Sequence, residues 1–246
     1  MNFINATLLQ FSSAGLILLV LAYYYRNPKI FTLIAILYSL FLFDIVILSL
    51  PRLSFLHTYK WNWQGKILEF IWPLIMVYGL KWLQPAEVGL TLPKNKRWLI
   101  YAVLIGIGYD GLMFALSPYL DTLPQHSNIE TILFQLTLPG LAEELFYRGT
   151  LWAVIQRYLP NPIRFLRLRL SWSFVLTTVL FISVHWISYI RSTGQIEWFI
   201  YENFPVLIIS VMLGLIREKT KSIWPGVLLH NIINGGLFVL VYFVSS

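Results

Sequence analysis

Residues 1–25, "MNFINATLLQFSSAGLILLVLAYYY", contain no aspartate, glutamate, lysine or arginine. The run matches the roughly 20 apolar residues an α-helix needs to cross the hydrocarbon core of a bilayer. No basic segment precedes it and no small-residue cleavage site follows. It therefore reads as a retained first span, at about 3–25, and not as a removable signal peptide. The same signal recurs at about 30–50, 66–83, 98–118, 129–156, 171–190, 199–216 and 224–243. Composition agrees: 58% of residues are hydrophobic, 12% are charged and the mean hydropathy is +0.70, whereas soluble domains carry roughly 25% charged residues. The sequence thus predicts an all-α fold, a polytopic membrane helical bundle of about eight transmembrane helices. Links such as "RNPK", "QPAEVGLTLPKNKR" and "LPNPIR" punctuate it. No repeat, low-complexity tract or soluble insertion interrupts the pattern, so residues 1–246 are expected to form a single integral membrane domain. The absence of cysteine excludes disulfides, thiol nucleophiles and thiolate metal sites.

A net charge of +7 could point to nucleic acid, but the distribution points to the bilayer. With eight spans, the first-second, third-fourth, fifth-sixth and seventh-eighth connections hold thirteen Lys and Arg residues. The opposite side, termini included, holds four: Arg52, Lys60, Lys66 and Arg191. This is the positive-inside pattern, and it places both termini outside the cytoplasm. Trp61, Trp63, Trp98, Trp172 and Trp224 fall near span ends, where an aromatic belt would put them. Lipid, and no nucleic acid, is the expected partner.

Against this apolar background the polar groups that stand out are Asp44, Asp110, Glu143, Glu144, Arg148, His185 and His230. A charge at mid-bilayer costs about 3 kcal/mol on insertion scales, so such residues face a partner or a cavity. Glu144 and Arg148, four apart in "LAEELFYRGTLW" (141–152), share a helix face and can neutralise each other. Glu143 projects about 100° away and has no basic neighbour on its own helix, so it needs a partner from another helix, or water. Pro139-Gly140 is expected to kink or restart that helix, bringing Glu143 near a helix N-terminus. His185 in "FISVHWISY" can be an interhelical contact or a site residue. His230 and Asn234 in "SIWPGVLLHNIINGG" share a face; they can hydrogen-bond across helices for structure or donate to an oxyanion. His57 and His126 fall in loops and carry no assignment. One unpartnered carboxylate, one ion pair, two imidazoles and an amide suit the attack of water on a carbonyl.

The succession Glu-Glu-x-x-x-Arg, Phe-x-x-x-His and His-x-x-x-Asn, each in its own apolar span, resembles the CPBP intramembrane proteases, the family of CAAX-processing and bacteriocin-processing (Abi) proteins. The likeness covers about 130–240, and "AEVGLTLPK" resembles a segment that often precedes the family's core helices. It implies a glutamate-type intramembrane endopeptidase of prokaryotic type in the cell membrane, with no cofactor, acting on a membrane-embedded or lipidated peptide or protein. By similarity, Glu143 takes the proton from water and His185 helps to hold that water. His230 and Asn234 would stabilise the oxyanion, while Glu144 and Arg148 would support the motif helix. Phe181 matches a motif position but can only pack. The resemblance favours substrate access from the cytoplasmic leaflet.

Other chemistries stay open at this level. Glu143, His185 and His230 could form a carboxylate-diimidazole metal set. Asp110 in "GIGYDG" could pair with Asp44 in an aspartyl mechanism. A non-catalytic scaffold or transporter would also use buried ionisable groups, although no two halves of the chain look alike. Depth poses a further question. Continuous spans put Glu143 and His185 each ~21 Å from the cytoplasmic rim and His230 only ~9 Å, so their convergence requires helices that tilt, kink or start deeper.

Overall fold

In lipid the backbone must satisfy its own hydrogen bonds, and long uncharged runs therefore become helices. The computed structural model describes residues 2–120, 123–124, 127–165, 168–190 and 193–244; His126 and Arg191 lie outside them. Helices α1 (Asn2–Tyr25) and α2 (Lys29–Leu48) form a hairpin. Their buried Leu18, Ile30, Leu33 and Leu37 share a core with Leu176 and Leu180 of α8 (Trp172–Trp186). A second seam joins α4 (Arg97–Leu120) to α10 (Trp224–Val244). Gly106 permits that approach: a Cβ there would come within 2.6 Å of Ile232 Cγ2, the small-residue contact that membrane helices use in place of a hydrophobic driving force. Helices α1, α2, α4 and α10 are each long and apolar enough to cross a membrane. The protein is an all-α membrane bundle.

Three expected spans are built differently. The run at 129–156 is broken into α5 (Ile129–Gln135) and a new helix that begins at Leu138. Pro139 is the cause. It has no N–H to donate and weakens a helix interior, but it costs little in a first turn, where that N–H has no partner anyway. The new helix runs through α6 (Leu138–Glu143), π-helical turns at Glu144–Leu151 and α7 (Trp152–Tyr158). The run at 171–190 is helical only to Trp186. Beyond it Ile187–Ile190 (β3) and Gln195–Trp198 (β4) make an antiparallel hairpin, as Ile163–Phe165 (β1) and Leu168–Leu170 (β2) do before α8. The run at 199–216 becomes α9 (Phe204–Thr220), and α3 (Trp63–Leu74) continues through a π-turn at Ile75–Gly79.

The depth problem is resolved by the link before α4. Its turn around Gly89 (φ +74) folds inward against the middle of the 138–158 helix. Arg217, buried at the end of α9, donates to the carbonyls of Arg148 (2.8 Å) and Glu87 (2.7 Å). Gly89 O accepts from Ile223 N (2.9 Å), and Trp224 Nε1 donates to Leu90 O (2.8 Å). Helix α10 therefore starts level with Arg148, not with Tyr158. His230, ~9 Å further along α10, then reaches the layer of Glu143 and Glu144. At the rim of this turn, hydrogen bonds from Arg157 (3.0 and 2.7 Å) hold the Glu87 carboxyl below the usual carboxylate range, against desolvation. Its folded value lies under the unfolded one of about 4.3. The tie is therefore fully present above that pH and is lost only as pH falls through the lower value.

Candidate active site

The start of α6 is clamped from α10. Asn231 Oδ1 accepts from Gly140 N (2.7 Å) and its Nδ2 donates to Thr137 O (3.0 Å). This satisfies one of the first-turn N–H groups that a helix leaves without an internal partner. Gly140 must be glycine, since a Cβ would lie 2.8 Å from Val227 O. Asn231→Ala is expected to lower stability by about 1–3 kcal/mol, the cost of two buried backbone groups losing their partner; thermal unfolding in detergent would register it as a lower midpoint.

Three residues beyond Gly140, Glu143 faces a polar cavity of about 330 Å³. His185, Lys66, Glu69, Asp44 and Tyr147 line it as well. Glu143 Oε1 accepts from Lys66 Nζ at 2.7 Å, and Lys66 also binds Glu69 at 2.6 Å. The partner that Glu143 lacks on its own helix thus comes from the first turn of α3. Glu143 Oε2 is buried without a hydrogen-bond partner among the described residues, and His230 Nε2 stands 3.8 Å from it. His185 Nδ1 lies 2.7 Å from Phe181 O. A carbonyl can only accept, so that nitrogen carries the proton and Nε2 keeps its lone pair.

Behind Glu143 is a closed polar layer. Arg148, fully buried, binds Glu144 Oε1 (3.2 Å) and Ser210 Oγ (2.8 Å) and lies 4.1 Å from the centre of the Phe181 ring. Glu144 Oε1 also takes a proton donor from His230 Nδ1 at 3.0 Å. Phe181 packs on both imidazoles, with centroids 4.5 Å from His185 and 5.8 Å from His230. The motif phenylalanine is thus the apolar floor under three polar groups. Arg148→Met would leave the Glu144 carboxylate buried without its cation, and a loss of about 3–5 kcal/mol is expected, readable as a fall in the yield and unfolding temperature of folded protein.

The structure brings Glu143, Glu144, Arg148, His185 and His230 together from three segments. It does not bring in Asn234, which is half-buried one turn beyond His230 and outside the residues lining the cavity. The amide in contact with the motif helix is Asn231. Asp110 lies against Gly236 in the α4–α10 seam, while Asp44 accepts from Trp72 Nε1 (3.1 Å) at the cavity wall. The two aspartates do not share a site. Among the described residues no three His, Asp or Glu side chains converge to hold a metal ion.

Lys66 and Glu69 carry no sequence assignment, Lys66 having been read as a rim lysine. The available signal was "KILEFIW", a Lys–Glu pair three apart inside an apolar run, which a helix turns into neighbours. Nothing local could have shown that this pair meets Glu143, 77 residues away. A family model, type II CAAX prenyl endopeptidase Rce1-like, matches residues 125–236. No curated protein and no solved structure matches the chain.

Proposed function

Starting from a chain whose core, residues 125–236, belongs to the Rce1-like CAAX prenyl endopeptidases and makes it a membrane protease of the CPBP type, we propose that peptide-bond hydrolysis is driven by Glu143 as general base. The observation that carries this reading is the division of labour on one carboxylate. Oε1 is fixed by Lys66, while Oε2 is left without a hydrogen-bond partner beside His185.

The steps follow from that geometry. Water between Glu143 Oε2 and His185 Nε2 gives one proton to the carboxylate as its oxygen attacks the scissile carbonyl carbon. The His185 lone pair accepts the second water hydrogen and orients the attack. The carbonyl π pair moves onto oxygen. His230 stands 3.8 Å from Glu143 and takes the role of donor to that oxyanion. Glu143 then returns its proton to the amide nitrogen, the C–N bond breaks, and carboxylic acid and amine products leave. Asn234 supports the oxyanion in this scheme only if substrate binding rotates it inward.

A membrane-associated polypeptide is the substrate class. The test is cleavage by purified protein, reconstituted in liposomes, of two reporters: a single-span peptide and a prenylated peptide. Mass spectrometry should find new termini in at least one. Intact reporters in both cases, with folded enzyme, would remove the protease mechanism from this chain.

A further inference from the structure

The cavity and the basic residues lie at opposite ends of the bundle. Gln10, on the cavity wall, is ~12 Å along α1 from Asn2 but ~22 Å from Tyr25. Ser49 caps the C-terminus of α2, Lys66 is in the first turn of α3, and His185 is the penultimate residue of α8; all three line the cavity. Every one of these helix ends points away from the Lys/Arg-rich links. Those links and the helix ends beside them carry Arg26 and Lys29 at the start of α2, Lys94 and Lys96 before α4, and Lys219 and Lys221 before α10.

The fold also corrects the charge count. Lys66 is an ion-pair partner inside the cavity and Arg217 is buried against carbonyls, so neither belongs to a rim. Removing both leaves, among the described residues, eleven basic residues at one end and two, Arg52 and Lys60, at the other. Lys and Arg beside membrane spans set orientation, and the richer side is cytoplasmic.

We infer that the cavity opens on the face turned away from the cytoplasm. Resting on the protease reading, the substrate class is then a polypeptide presented from that face, a segment already translocated or anchored with its scissile bond near the outer surface. A tail lipidated and left in the cytoplasm is on the wrong side. This reverses the direction of access that the family resemblance favoured.

The chain contains no cysteine, so single cysteines can be introduced without background. Lys60→Cys and Asn95→Cys mark the two ends and Ser49→Cys marks the cavity wall, each in the full-length protein in cells. With a membrane-impermeant maleimide, Lys60→Cys and Ser49→Cys are expected to label in intact cells, and Asn95→Cys only after permeabilisation. Labelling of Asn95→Cys in intact cells, or of Lys60→Cys only after permeabilisation, overturns the orientation. If Lys60→Cys labels from outside but Ser49→Cys does not, the orientation stands and the outward mouth falls. The readout is accessibility, not cleavage, so failure of the catalytic assignment leaves this result intact.

Discussion

Glu143→Gln is expected to slow reporter cleavage by at least ~100-fold, the usual contribution of a positioned general base, while the protein still folds. The amide keeps the shape of the carboxylate, and its oxygen can still accept from Lys66, which retains Glu69 as a charged partner at 2.6 Å. What is lost is the ability to hold the proton taken from water and to hand it to the leaving nitrogen. The check has two parts: initial rates on the single-span or prenylated reporter in liposomes, and thermal unfolding of the same preparation. Cleavage at the wild-type rate by folded Glu143→Gln would show that the base is another group. Because Glu144 is tied to Arg148 and His230, Glu144→Gln is expected to show the opposite balance, with a clear loss of stability alongside any loss of rate.

The second large effect is structural. Lys66→Met would leave the carboxylates of Glu69 and Glu143 facing each other across the space that the ammonium occupies. Glu69 is 1% exposed and Glu143 14%, so the few waters the cavity admits replace the ammonium only weakly, and removal of one member of a buried ion cluster costs about 3–5 kcal/mol. The expected result is a large fall in unfolding temperature, with much of it recovered in Lys66→Met/Glu69→Gln, where one of the stranded charges is also gone. A double-mutant cycle measures that coupling directly. Equal unfolding temperatures for wild type and Lys66→Met would mean that the lysine does not bridge the two acids. Lys66→Arg keeps the charge and should stay near wild-type stability.

Much of the architecture follows from local chemistry. An uncharged run in lipid has few options besides a helix, and Pro139 favours a kink or a restart within it. The Glu144–Arg148 pair is likewise legible, because four residues on a helix make two side chains neighbours whatever surrounds them. The apolar run after Trp186 was less informative. Ile187–Ile190 pairs with Gln195–Trp198 across a turn at Gly194 instead, and short apolar runs do not distinguish helix from strand by themselves.

By itself the sequence determined that the protein is a membrane bundle with a basic rim on one side and an acid–base set on its later spans, because span length, charge asymmetry and residue spacing are properties of adjacent residues. The tertiary structure alone decided which groups meet. It set Lys66 against Glu143, gave Asn231 the contact with the motif helix, and began α10 deep enough for His230 to reach both glutamates. Those outcomes depend on how far the link at 85–90 folds inward and on where α3 crosses α6, distances between remote segments that no local pattern encodes.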